Sequence, residues 1–522
     1  MDSKPTAKAY LHWTGLVLGP LLCALALAIL PTHFQLAGSS ELSEFSWAGR
    51  ATLAVMIWMG VWWLTEAVHI SVTALLPIVV FPLLGAARIP DACSPYADPL
   101  IFLYFGGFVI ALSMERWGLG KRIALQTLRW VGTSASAMVA GFMLVTAGLS
   151  AFVSNTATTA MMLPIAASVV ALLKSSAHSD APNASQQEGA SSAGIDSFGT
   201  CLMLAVAYSA SVGGIMTIIG TPPNAFLIGF VRDKIAAEYR QDFGFAGWLP
   251  IGVTLAAVFL PLIYLVLTRF LFPIQGVALA GGQQLVQRQL SQLGRVQRGE
   301  WNTLAVFLIT VLLWLVRPML SKLQFSLGGS LVTPFANLTD TGVAMSGAML
   351  LFLLPANFRQ RIFTMDWEHA SRIPWGILLL FGGGLSLAAA VQANGVAEFI
   401  GSQTGALAAL PPLLLVLLVT AAIVFLTELT SNAATTASLV PVLAALAPGL
   451  GVHPYLLIFP ATLAASCAFM LPVATPPNAI VFASGMITIP QMIRAGIVLN
   501  LIAIAIITIL TMLVIRPWLG LS

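Results

Sequence analysis

Ser154-Asn155-Thr156 lies inside the apolar stretch 133–173, and Ser431-Asn432 lies inside a second one, 405–448. Hydrogen-bonding side chains at that depth of a bilayer need partners, because an unsatisfied amide or hydroxyl in hydrocarbon costs several kcal/mol. One isolated copy would favour interhelical glue, since Ser, Thr and Asn commonly bond across packed helices. Two copies in register, each followed by Thr-Pro-Pro-Asn at 221–224 and 475–478, favour a site. A Pro in a helix removes an amide donor and clashes with the carbonyl one turn earlier, which frees backbone oxygens. The half-helix that follows begins with unpaired amides and a positive dipole end. Free carbonyls suit Na⁺, and free amides suit a carboxylate or sulfate. For a single motif the alternative is a plain proline kink.

No Lys or Arg occurs within 133–173, 205–229, 405–448 or 455–486, so nothing fixed there neutralises an anion. Desolvating a bare dianion is prohibitive. An anionic substrate would therefore need mobile cations as countercharge, and its movement would be coupled to theirs. Glu428 is the only acid in these four stretches. An intramembrane carboxylate is a functional candidate by default, either as a proton site or as an acceptor for hairpin amides. The first copy has Ala151 at the corresponding place, which favours the structural role. Glu66, in Trp63-Leu64-Thr65-Glu66-Ala67, and His69 read as packing or interface groups.

The elements that position these residues follow from composition. Charged residues make up 8% of the 522, against about 25% in soluble proteins, and mean hydropathy is +0.93. This excludes an ordinary soluble globular protein and implies an all-α polytopic membrane protein, with the lipid bilayer as partner. The formal charge of +4 is scattered without a basic run, so no nucleic acid is expected as partner. Cys23, Cys93, Cys201 and Cys467 are too far apart for a metal-ligand spacing and imply no disulfide framework. Lys4 and Lys8 ahead of the apolar stretch 16–30 could pass for a signal peptide. The many later spans make it an uncleaved first helix.

An internal repeat organises the chain. Phe105-Gly106-Gly107 recurs as Phe381-Gly382-Gly383, offset 276, and Ser154–Ala160 recurs as Ser431–Ala437, offset 277. Gly220–Ala225 recurs as Ala474–Ala479 at offset 254, and an insertion about as long as the polar stretch 174–198 accounts for the drop. That stretch reads as a disordered cytoplasmic loop, and 275–300 as a surface helix joining two halves. The stretches 133–173 and 405–448 are too long for one span. Read as re-entrant hairpins, they leave eleven full spans, with the N-terminus cytoplasmic and the C-terminus outside. This places 15 of the 23 basic residues inside, from Lys4 to Arg494, and 8 outside, in keeping with the positive-inside rule. The hairpins then open from opposite sides, as in secondary transporters built from inverted repeats.

The doubled Ser-Asn motif with its Thr-Pro-Pro-Asn segment, and Trp63–Ala67 upstream, resembles the divalent anion/sodium symporter family over roughly 50–515. The resemblance implies eleven spans plus two opposed hairpins, a homodimer, and an elevator-type transporter with scaffold and transport domains. On that pattern 1–132 and 301–392 are scaffold, while 133–272 and 393–522 form the transport domain. The segment 273–300 is then a cytoplasmic linker. It further implies one Na⁺ at Ser150, Ser154, Asn155 and Gly220, and a second at Thr427, Thr430, Asn432 and Ala474. Substrate carboxylates would meet Asn155, Thr156, Thr221, Ser431, Asn432 and Thr475. Ala433 departs from the pattern, standing where many relatives have Thr.

The expected function is Na⁺-coupled symport, with two or more Na⁺, of a small dianionic substrate, above all a C4 dicarboxylate such as succinate, malate or fumarate, across the cell membrane. Alternatives on the same fold are a sodium-independent dicarboxylate exchanger and a Na⁺/sulfate or Na⁺/citrate symporter. An exchanger would be expected to replace a Na⁺ site with fixed positive charge, which these stretches lack. A channel needs no paired hairpins. An enzyme needs convergent acid, base or nucleophile groups, and the sequence offers no such cluster.

Overall fold

The computed structural model describes residues 7–35, 42–130, 132, 134–179, 188–274, 282–327 and 330–520. Helices dominate, and among the described residues the strands form three short hairpins, of two or three residues a strand, in connecting segments. Among the described residues, eight helices are long and apolar enough to cross a membrane, and several shorter apolar helices accompany them. The first helix, α1 (Ala7–Ile29), packs on α2 (Trp47–Thr65). Its other side carries exposed Trp13, Val17, Leu21, Leu25 and Ile29, as expected of a surface solvated by lipid.

Local chemistry sets the helix ends. Ser46 caps α2, whose last turn closes on Glu66 in the left-handed conformation, φ 49°. His69 accepts the Ser71 amide at 3.3 Å and starts the next turn. Glu66 thus closes one helix and His69 opens the next. Asp98 caps α3 (Pro99–Arg116) by accepting the Leu100 amide at 2.9 Å. The amphipathic α4 (Leu119–Trp130) follows.

The two long apolar stretches are each broken at the Ser-Asn motif. The first gives α5 (Ala135–Ser150) and α6 (Asn155–Ser179), and a long α7 (Glu188–Ile215) and a short α8 (Pro222–Gly229) come next. Then come α9 (Phe245–Leu265), α10 (Gly282–Gln292), α11 (Arg298–Leu320), α12 (Asp340–Leu353) and α13 (Trp375–Ala393). The second long stretch gives α14 (Pro412–Thr427) and α15 (Asn432–Gly449), followed by α16 (Tyr455–Ala465), short α17 (Pro476–Phe482) and α18 (Ile489–Leu510).

Helix covers much of the stretch expected to be a disordered loop at 174–198. α6 runs on to Ser179 and α7 starts at Glu188, and Lys174 pairs with Asp196 at 2.8 Å between them. Lys, Ala and Glu in the helical parts are good helix formers, and helices already anchored by apolar turns extend into them. Residues 180–187 of that stretch lie outside the described residues. Within 275–300, α10 supplies the expected surface helix.

Packing repeats as the motifs do. α5 and α6 pack on α7, and α14 and α15 pack on α16. The short helices cross over: α8 of the first copy packs on α15 of the second, and α17 of the second packs on α6 of the first. The core is therefore continuous across both halves.

Candidate functional site

Each Ser-Asn motif opens a helix directly after a four-residue break, 151–154 before α6 and 428–431 before α15. In the first copy the Ser150 hydroxyl lies 2.7 Å from both Asn155 Oδ1 and the Ala210 carbonyl of α7. In the second, Thr427 Oγ1 lies 2.8 Å from Asn432 Oδ1 and 2.9 Å from the Ala465 carbonyl of α16. The same construction thus appears twice: a hydroxyl at the end of one helix orients the amide at the start of the next. Thr430 Oγ1 adds a 2.7 Å contact to Thr435 Oγ1.

Gly220 closes the first cluster from the α7–α8 break. A methyl group there would collide with the Gly214 carbonyl oxygen and lie 3.0 Å from the Ala151 carbonyl oxygen. One at Gly214 would collide with the Asn155 side-chain oxygen. Backbone and amide oxygens from three segments therefore converge on Ser150, Asn155 and Gly220. Hard oxygen donors of this kind suit an alkali cation better than a transition metal. Among the described residues no group of His, Cys, Asp and Glu is placed to hold a metal ion.

The remaining sequence candidates differ in position. Ser154 and Thr156 are exposed, and the Ser154 hydroxyl accepts the Ala157 amide at 3.2 Å as a cap. Ser431 and Asn432 are half-buried. Thr221 and Thr475 are buried at the heads of α8 and α17, and Thr475 Oγ1 accepts the Asn478 amide at 3.3 Å. Ala474 is buried one residue before. No side chain of the first oxygen cluster bonds to one of the second; helix crossing brings their supports together.

Sequence reasoning missed the last residue of Thr-Pro-Pro-Asn. Asn224 is fully buried, and its Nδ2 donates to the carbonyls of Thr217 (2.8 Å), Ile215 (3.1 Å) and Gly214 (3.4 Å). Asn478 does the same for Leu471 (3.1 Å) and Ala468 (3.2 Å). These amides satisfy carbonyls that the helix break leaves without donors. The signal was the recurrence of Asn at the same distance after both Pro-Pro pairs.

The two breaks are finished differently. In the first, the Thr217 hydroxyl donates to the Ala151 carbonyl and accepts the Gly220 amide at 3.2 Å. In the second, position 428 carries a carboxylate. Glu428 Oε1 accepts the amides of Phe469 (2.7 Å) and Met470 (2.9 Å) and the Asn500 side chain (2.7 Å), and Oε2 accepts the Leu471 amide at 3.1 Å. Glu428 is thus an acceptor, as expected, but the amides come from the break after α16 rather than from its own hairpin. The first Phe-Gly-Gly motif brings α3 against the break after α7, whereas Gly382 and Gly383 of the second pack on Tyr96 and Ala74. A methyl at Gly107 would touch Ile219 at 3.7 Å, and one at Gly384, next to the second motif, would meet Phe226 of α8 and Ala437 of α15.

Comparison with known proteins agrees with this architecture. The profile of the family described as "Sodium:sulfate symporter transmembrane region" matches residues 21–521. A protein named sodium-dependent dicarboxylate transporter SdcS, from Staphylococcus saprophyticus, is 38% identical over 509 residues, covering 97% of this chain and 92% of its own. The protein of the same name from Staphylococcus aureus strain MRSA252 is 39% identical over 508 residues, 96% of this chain and 91% of its own. The fold is similar to that of the Alcanivorax borkumensis YdaH transporter, at TM-score 0.58 and 15% identity over 99% of both chains. It is also similar to that of Neisseria gonorrhoeae MtrF, at TM-score 0.58 and 12% identity over 98% of this chain and 96% of that one. The protein is a multi-pass membrane transporter. It belongs to the sodium:sulfate symporter family, the divalent anion/sodium symporters that its doubled motif resembles.

Proposed function

We propose that the chain carries out Na⁺-coupled symport of small dianions, above all C4 dicarboxylates, across the cell membrane. The observation that carries this reading is the doubled oxygen cluster, Ser150–Asn155 and Thr427–Asn432, in a region without a Lys or Arg. Two Na⁺ ions are co-substrates here. The first would use Ser150, Ser154, Asn155 and Gly220, and the second Thr427, Thr430, Asn432 and Ala474. They supply the positive charge that lets a dianion leave water, and the carboxylates would meet Asn155, Thr156, Thr221, Ser431, Asn432 and Thr475. The relatives' dicarboxylate transport supports the substrate class.

The mechanism we infer is an elevator. The segments 133–272 and 393–522 move as one transport domain against a scaffold of 1–132 and 301–392, with 273–300 as linker and a homodimer as the working unit. α5 and α14 have 16 residues each, about 24 Å of helix. That falls short of the roughly 30 Å hydrocarbon core and supports re-entrant hairpins, which leave eleven full spans, while the Lys and Arg distribution favours a cytoplasmic N-terminus and an external C-terminus. Uptake of labelled succinate into proteoliposomes, with and without an inward Na⁺ gradient, tests the function. Na⁺-driven accumulation is expected, and equal uptake in both conditions would refute coupling. Trans-stimulation by internal succinate in the absence of Na⁺ would favour the exchanger instead.

A further inference from the structure

Tyr104 is buried in α3, outside every motif discussed so far, with its ring edge-on to Phe108 and Phe381. Its hydroxyl reaches into the first helix break, where it donates to the Ile218 carbonyl and lies 3.1 Å from the Thr221 carbonyl. In a continuous helix the Ile218 carbonyl would accept the amide of residue 222, which is proline and has none. The phenol stands in for that missing donor. Gly220 lies between Ile218 and Thr221 in the chain, and Asn224 and Trp248 hold the preceding turn at 214–217. The second repeat has Leu380 at the position matching Tyr104 and relies on Glu428 for its own break.

We propose that Tyr104 is a positioning residue for the first cation site, fixing the Gly220 carbonyl from a helix that contributes no ligand. The proposal rests on the Na⁺-coupled reading above. Without the hydroxyl, the buried Ile218 carbonyl loses its donor, and the arrangement that binds the cation becomes a smaller share of the ensemble.

The test is Tyr104→Phe, which keeps the ring and its packing, measured as succinate uptake against Na⁺ concentration in proteoliposomes. The half-saturating Na⁺ concentration is expected to rise about tenfold, with the rate at saturating Na⁺ retained and the Na⁺-free thermal midpoint close to wild type. A wild-type Na⁺ curve in this variant overturns the positioning role, as does a lowered midpoint with unchanged Na⁺ dependence. Should the Phe variant fail to fold, 3-fluorotyrosine at 104 carries the test. It keeps ring and proton, donates more strongly and should lower the half-saturating concentration, and an unchanged value overturns the proposal. Wild-type uptake indifferent to Na⁺ overturns both readings, whereas Na⁺-driven wild-type uptake with an unaltered Tyr104→Phe curve removes only this one.

Discussion

Asn155 and Asn224 are the same residue type doing different work, and the difference lies in what each faces. The Asn155 oxygen faces Ser150 and Gly214 within the proposed cation site, while the Asn224 amide is consumed by three carbonyls. Asn155→Ala is therefore expected to abolish Na⁺-dependent binding while leaving a folded protein, read as a lost thermal shift on adding Na⁺ and succinate. Unchanged transport would remove the residue from the site. Glu428→Gln makes the opposite kind of change. A carboxylate that accepts three backbone amides becomes a group whose own NH₂ opposes one of them, which should cost about 2 kcal/mol or more and show as a lower thermal midpoint. A proton-site role would instead leave the midpoint and change the pH dependence of uptake. The motif residues were legible because they recur. Tyr104 has no counterpart in the second half and sits 114 residues from its acceptor at Ile218, so no spacing pattern could reveal it.

At the scale of elements, apolar length marked 133–173 and 405–448 as too long for one span, and each is broken next to its Ser-Asn cluster, at 151–154 and 428–431. What failed was the polar stretch beside α6, because composition alone cannot tell a solvated loop from a helix already nucleated by its apolar neighbour. Also hidden was the charge that pins α4. Arg122 reaches the carboxylate of Glu300 at the start of α11, with Oε1 at 3.0 Å, and donates to the Gly294 carbonyl at 3.1 Å. The Glu300 side chain is 4% exposed and also accepts the Gln297 amide. Arg122→Ala leaves that carboxylate buried without its cation and is expected to cost about 3–5 kcal/mol. Pairing it with Glu300→Gln should recover most of the loss, and thermal unfolding in detergent separates the two outcomes.

Across the whole molecule, α8 packs on α15 and α17 packs on α6, so the helix that supports each proposed cation site leans on a helix of the other half. Splitting the chain in the linker between α9 and α11 should give fragments that show no Na⁺-dependent binding alone and regain it when co-expressed. Binding by a lone half would contradict the reciprocal arrangement. Recurrence in the sequence announced two alike halves, but which helix of one meets which helix of the other is a long-range choice that no local pattern encodes. One consequence follows from the unequal finish of the two breaks. Thr427 is followed by a buried carboxylate, whereas Ser150 is followed by an alanine. The two proposed cation sites, with similar oxygen donors, then sit in different electric potentials. A sodium titration should resolve a tight step and a weak one, with the ion beside residue 428 loading ahead of its twin.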